Sequence, residues 1–495
     1  MSKSPLSQRF HDVLSGSGQK EAIRFKGRWH TWQDLHDDWR AVESLLDAAG
    51  VPKDAALAFV ARTRVQHAAV IIGAFASGRM LSMIYAMQSP GLIAKEIAAL
   101  GAAAVIADSE DWTAEAVGAA RAAGSAGMAI GNPPAGQGPR VYTVPGLEKA
   151  GPGPHRPAGE RHDVEVLSSG TTGAPKRIRL PVQAFVHSVT SLNLGDDSKD
   201  NEVSVLYNPF GNIGGLMGLS AGAYTAARIV LLEKFNVHEY VDAVREFKLK
   251  AIGASPPVIR HILEAKIPRE ALASVEYAYG GSGPLEPETI DRFEEAYGIP
   301  ILWGYGATEF AGTVVTWTPA LRREFGKGKR GSIGRALVGT KVRVVNPDTG
   351  EEAPRNQMGN LEAQVDVLGP HWIRSTDLAT MDDDGFVFLH GRGDAAIIRG
   401  GFKILPERVA DVLRLHPSVL DAAVIGIPDP ILGQVPVAAV EKRPGLPPPT
   451  PDELEKLIRD HLPSHHVPKR FAVLDELPRT ASLKVQLGEL RKLFE

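Results

Sequence analysis

The stretch of this chain whose residue types and spacing could most readily do chemistry runs from Ser168 to Lys176. It reads Ser168-Ser169-Gly170-Thr171-Thr172-Gly173-Ala174-Pro175-Lys176 and follows the apolar run Val164–Leu167. Glycines, adjacent hydroxyls and a terminal lysine can wrap phosphate oxygens with backbone N–H, O–H and ammonium donors. The segment is not a Walker loop, because Gly170 and Gly173 stand three apart and no G-K-[ST] follows. By composition alone it reads equally as a phosphate loop or an ordinary turn. Two other features tempt a chemical reading. His465-His466 could suggest a metal, but neighbouring histidines on a helix point to different faces, so none is expected there. The basic run Arg322 to Arg330 reads as a solvated loop, as most charge runs are.

Composition narrows the remaining chemistry. The 495 residues contain no cysteine, which excludes disulfides, thiolate zinc sites, thiol nucleophiles and iron–sulfur clusters. The same absence fits a reducing cytoplasm, and the polar Met1–Arg9 start does not resemble a signal peptide. A cytoplasmic location is therefore expected. With 55 Lys+Arg against 58 Asp+Glu the net charge is −3, which argues against nucleic acid as a partner. The greasiest run, Ala68–Ala76, is far shorter than the ~20 residues of a membrane span and reads as a buried helix. No membrane partner is expected.

The elements that must position the chemistry alternate. Leu249–Gly253, Val275–Tyr279 and Ile299–Trp303 read as strands, and Pro257–Ala265 and Glu286–Tyr297 read as helices between them. Such order implies a mostly parallel sheet covered by helices, with ligands at the carboxyl ends of its strands. The loops after Tyr279 and Trp303 are thus where a site belongs. Gly131–Gly159 and Arg443–Pro451 read as Pro/Gly-rich loops. The second leads into a helix marked by Thr450 as cap, Pro451 in the first turn and Glu453 closing a capping box. Short strands Val424–Ile427 and Val435–Val440 follow a boundary near Arg392–Asp394. The expected fold class is α/β: a large N-terminal body of parallel or mixed sheets (residues 1–391), plus a small mobile α+β C-terminal domain (residues 392–495).

Further blocks turn the phosphate-loop reading into a family resemblance. After Ser168–Lys176 come Tyr305-Gly306-Ala307-Thr308-Glu309, then Gly331-Ser332-Ile333-Gly334-Arg335. Ser375-Thr376-Asp377 with Asp384-Gly385-Phe386 follows, then Gly391-Arg392-Gly393-Asp394 with Gly400-Gly401 and Pro406. Pro478-Arg479-Thr480-Ala481-Ser482-Leu483-Lys484 is last. In order and spacing these resemble the adenylate-forming superfamily: acyl-CoA synthetases, adenylation domains of peptide synthetases, firefly-type luciferases. The resemblance implies ATP and Mg²⁺ as cofactors and a small-molecule carboxylic acid as substrate. It implies Thr171, Thr172 and Lys176 on the pyrophosphate side, and Glu309 beside Thr308 as the Mg²⁺ ligand. It further implies Asp377 on the ribose hydroxyls, supported by Arg392, with adenine against Gly281–Pro284 and Tyr305. Lys484 would bridge the acid and the α-phosphate, and Asp394 would be the hinge of a rotating lid. Taken singly, Asp377 reads as a turn residue, Glu309 as a solvated acid and Lys484 as a surface lysine.

Departures from the family pattern bear on the second step. Relatives carry an aromatic residue and His where this chain has Gly211 and Asn212, after Pro209-Phe210. Phe210, Gly211, Asn212 and Gly280 are the expected acid pocket, and a lost ring predicts room for a bulky or aromatic acid. Ile398 stands where a Lys is usual, Thr376 replaces the Gly before Asp377, and Leu483 replaces the Gly before Lys484. The expected acceptor is coenzyme A. An amide bond synthetase, in which a free amine attacks the adenylate, is the alternative; no carrier domain follows Glu495, which disfavours a peptide-synthetase module.

Overall fold

The computed structural model describes residues 5–131, 140–158, 163–167, 176–191, 203–281, 283, 285, 287–399, 402–480 and 483–495. The phosphate-loop residues Ser168–Pro175, with Thr171 and Thr172, lie outside the described residues, as do Ser282, Pro284, Gly400, Gly401, Ala481 and Ser482.

A large α/β body precedes a smaller α+β domain. The first sheet has seven strands in the spatial order Val141–Thr143, Ala126–Ile130, Ala104–Asp108, Leu57–Ala61, Leu81–Tyr85, Asp163–Leu167, Arg177–Pro181. Its five inner strands run parallel, and both outer pairs are antiparallel. The helix Val65–Ser77 packs here almost wholly buried and ends at Gly78, whose φ of 71° closes it. Residues 131–159 hold the edge strand Val141–Thr143, so that stretch is not all loop.

The second sheet places Ala251–Ala254, Tyr277–Gly280 and Ile301–Ala307 in parallel, with Gly312–Thr316 and Arg335–Ala336 added antiparallel. The helices Pro256–Glu264 and Pro287–Tyr297 connect its parallel strands, as the alternating pattern predicts. A four-stranded sheet pairs Val203–Leu206, Arg228–Leu231, Glu21–Phe25 and Arg28–Thr31. An antiparallel four-stranded sheet (Thr340–Val345, Gly359–Val365, Ile373–Met381, Val387–Arg392) closes the body.

The basic run is not a free loop. Thr318 caps the helix Pro319–Phe325, whose first residue is a proline, and a 3-10 turn continues to Lys329. Arg322 pairs with Glu294, Lys329 with Asp382 at 2.8 Å, and Arg330 with Glu288 at 3.0 Å. The start signal lies just upstream of the charges and outweighs them.

The small domain has cores of its own, one around Val409, Leu413, Val424 and Ile458, another around Ile425, Val437 and Leu490. Its sheet is built on the long hairpin Val419–Asp429 and Gly433–Lys442, joined by Ile397–Arg399, Phe402–Ile404 and Phe471–Leu474. Thr450 and Glu453 form the reciprocal capping box that starts the helix Pro451–His461. His465 and His466 lie in a 3-10 turn, not a longer helix, and their rings stand 4.4 Å apart. The two rings thus lie against each other, where neighbours on a helix are expected to point to different faces. Among the described residues, no helix is long and apolar enough to cross a membrane.

Candidate active site

Three elements of the large body converge with one loop of the small domain. Tyr305 sits near the carboxyl end of Ile301–Ala307, the position that parallel-sheet topology favours for ligands. Beyond it the chain turns through Thr308–Phe310 into the antiparallel strand Gly312–Thr316, leaving the Glu309 carboxylate exposed at the turn beside half-buried Thr308. Asp377 lies on the strand Ile373–Met381 directly opposite Arg392 on its neighbour. The Tyr305 hydroxyl donates to the Asp377 carboxylate. Arg392 binds Asp394 in bidentate fashion, at 2.8 and 2.5 Å.

Lys484 belongs to the small domain, yet its ammonium feels Glu309 and Asp377 of the large body, together with Arg392 at the domain boundary. Burial pushes its pKa below the ordinary 10.5, Arg392 pushes the same way, and the two carboxylates oppose both. Asp377 is shifted in the other direction. Burial raises its pKa, while the Tyr305 hydrogen bond and the Arg392 charge hold it down. The Tyr305 phenol is pushed far up, by burial first and then by the adjacent Asp377 charge. A half-buried carboxylate, a half-buried ammonium and an exposed carboxylate thus share one cleft between the domains.

The lysine loop is held by its own backbone. Thr480 N–H donates to the Lys484 carbonyl at 2.7 Å, and the Lys484 N–H donates to Thr480 Oγ1 at 3.2 Å. Arg479 reaches from this loop to Asp421 at 2.7 Å and Glu441 at 3.0 Å. Asp421 also accepts from Arg414 at 2.8 Å and from Arg260 of the large body at 3.2 Å. Sequence reasoning missed this hub, because partners 161 residues apart leave no local spacing to read.

The expected acid-pocket residues divide. Phe210 is fully buried in the core of the large body, where its ring packs. Gly211 does not leave open room: a Cβ there would stand 2.9 Å from Cδ2 of Tyr85, whose ring takes part of the space. Asn212 precedes the helix Ile213–Thr225 without capping it through its side chain. Gly280 faces Trp303 across the sheet, and a Cβ at Gly280 would come within 2.0 Å of that indole. Gly281 follows at the strand end. Lys176 lies exposed at the start of Arg177–Pro181, and the register Leu167↔Arg177 brings the two ends of its loop together.

Comparison with known proteins decides the family. The AMP-binding enzyme model matches residues 10–364, and the AMP-binding enzyme C-terminal domain matches residues 408–484. The chain belongs to the AMP-binding enzyme family. Rice 4-coumarate–CoA ligase 3 is 31% identical over 350 residues, 66% of this chain and 62% of that protein. The chain therefore spans slightly under two-thirds of that relative's length. ATP-bound MatB from Rhodopseudomonas palustris shares the fold with a TM-score of 0.82 at 21% identity, covering 99% of each chain. The amide bond synthetase McbA from Marinactinospora thermotolerans superimposes with a TM-score of 0.79 at 24% identity, covering 99% of this chain and 100% of that one.

The Tyr305–Asp377 contact supplies a prediction. In Tyr305→Phe the carboxylate loses the hydrogen bond that lowers its pKa, so that pKa rises further. ATP affinity, read by calorimetry, is expected to weaken about tenfold, the worth of one hydrogen bond to a charged group. The loss on acidification is expected to begin at higher pH than in the unmodified enzyme. An unchanged affinity and pH profile would remove Asp377 from nucleotide binding.

Proposed function

We propose that this chain activates an aromatic carboxylic acid as its acyl-adenylate, releasing pyrophosphate, and transfers the acyl group to coenzyme A. The observation that carries the reading is the meeting of Lys484 with Glu309, Asp377 and Arg392 across the two domains. An acid oxygen attacks the α-phosphorus of ATP as the bond to pyrophosphate breaks. Negative charge gathers on the phosphoryl oxygens, and the Lys484 ammonium stands where it offsets that charge. Asp377 accepts from the ribose hydroxyls while Tyr305 fixes its orientation; Arg392 adds positive charge beside it. Thr171, Thr172 and Lys176 take the pyrophosphate side, and Gly281 borders the adenine.

Glu309 fits Mg²⁺ by donor type, since that ion is commonly held by one or two carboxylates together with substrate phosphates. When bound, Mg²⁺ neutralises phosphate charge. In the second step the acceptor attacks the acyl carbon, the bond to AMP breaks, and the acceptor's proton passes to solvent. The aromatic acid is supported by the relative named for 4-coumarate and by the Tyr85 ring beside Gly211. That same ring argues against the larger bulk that a bare Gly211 predicts.

Transfer to a free amine is the second reading. Ile398, exposed on the small domain where relatives carry Lys, and Leu483 beside Lys484 favour it. Incubation with ATP, Mg²⁺ and a panel of acids, with either CoA or amines, separates the two by mass spectrometry. An acyl-CoA product with aromatic acids supports the proposal; an amide formed without CoA replaces it with the second reading. Exclusive use of short aliphatic acids would sink the aromatic assignment.

The small domain, residues 392–495, is proposed to rotate between the steps about Asp394. Proline fixes φ and removes an N–H, so Asp394→Pro is expected to slow transfer to the acceptor by at least tenfold more than adenylation. Equal loss in both half-reactions, timed by rapid quench, would place the hinge elsewhere.

A further inference from the structure

Leu483 stands immediately before Lys484 with φ at +64°, in the left-handed region that a branched side chain seldom occupies. Glycine takes that conformation without steric cost, so leucine persists only where its surroundings compensate. The compensation is visible. Although Leu483 belongs to the small domain, its side chain packs against the core of the large body that contains Trp303, Phe310 and Ala379. Its backbone is fixed as well: Leu483 N–H donates to Thr480 O at 2.8 Å, and Arg479 Nη1 donates to Leu483 O at 3.2 Å.

We propose that Leu483 is a positioning residue: an apolar tether, set in a strained turn, that docks the lysine loop on the large body and holds Lys484 in the cleft. Resting on the adenylation reading, it goes beyond it by assigning what keeps the lid in the adenylating orientation. The apolar contact with the large body compensates the strain of the turn in the docked lid, and undocking costs that contact. A glycine would keep the turn and lose the contact.

Because the chain has no cysteine, two can be introduced without background labelling. Glu295→Cys and Asp452→Cys place spin labels at exposed positions, one on each domain. The unmodified tether should give one dominant inter-label distance. Leu483→Gly should add a second population, and Leu483→Met, which keeps an apolar contact, should restore the single one. In the adenylation half-reaction, with the acid that the panel selects, Leu483→Gly should lose about tenfold in kcat, as expected if only a tenth of the molecules hold the lid docked. Acyl transfer from supplied acyl-adenylate should be retained. A Leu483→Gly distance distribution superimposable on the unmodified one would overturn the proposal, as would equal loss in both half-reactions. Should the protein adenylate no acid, the distance measurement still tests the tether while the functional reading fails separately.

Discussion

Lys484→Ala is expected to lower the adenylation rate by roughly 10²–10³, the usual cost of removing one preorganised group that faces developing charge. ATP binding should change little, since the ribose hydroxyls are proposed to bind Asp377, which Tyr305 orients. The lysine is useful only while protonated, and burial lowers its pKa from 10.5. Its charged fraction therefore falls as pH rises through that lowered value. The kcat/KM for adenylation should show an alkaline limb below 10.5, because this parameter reports groups of the free enzyme. Lys484→Arg should flatten that limb, whatever its absolute rate, because guanidinium stays charged. Single-turnover pyrophosphate release across pH checks both statements. Unimpaired adenylation in Lys484→Ala would remove the lysine from the chemistry.

The second large effect concerns Asp421. This carboxylate is 2% exposed and accepts from Arg414, Arg260 and Arg479 together. Burial works against its charge, but the three guanidinium groups hold its pKa far below the usual carboxylate range. Removing the carboxylate takes a shared, buried partner from three partly buried cations, so Asp421→Ala is expected to cost about 3–5 kcal/mol. Hydrogen exchange across Val419–Asp429 and Gly433–Lys442 should report the loss first, since these paired strands flank the hub. The lysine loop should loosen with them, because Arg479 joins that loop to Asp421. The pH sign follows from the depressed pKa. The contribution is present above the unfolded carboxylate value and disappears only as pH falls through the folded one, so the domain should resist mild acid. A cost under about 1 kcal/mol would show that the arginines find other partners.

Much of the site was legible because its residues sit in short local blocks. Tyr305 and Glu309 share one strand and turn, and Thr480 and Lys484 share one hydrogen-bonded loop. Helix ends were legible for the same reason, as the Thr450 capping box shows. Relations between blocks were not. The Asp421 hub links residues 260, 414 and 479, and no periodicity encodes such a pairing. The Tyr85 ring beside Gly211 joins the end of one strand to a distant helix start, so the space at Gly211 depends on a residue its own stretch of sequence does not name. Leu483 was visible as a departure from glycine, but its left-handed turn and its contact across the domains needed coordinates. The strand Val419–Asp429 also runs well beyond the Val424–Ile427 that its apolar pattern marks. Hairpin pairing carries it through Asp421 and Gly426, residues that propensity alone would place in turns.

The most direct measurement follows oxygen from the acid to the nucleotide. With a carboxyl group labelled in heavy oxygen, attack on the α-phosphorus leaves one labelled oxygen bonded to phosphorus. When the acceptor displaces AMP, that oxygen departs with the nucleotide. Adenylation predicts AMP carrying one heavy oxygen per turnover, together with unlabelled pyrophosphate, and the same labelling appearing roughly 10²–10³ times more slowly in Lys484→Ala. Release of ADP and phosphate, or of AMP without label, would contradict acyl-adenylate formation by this chain.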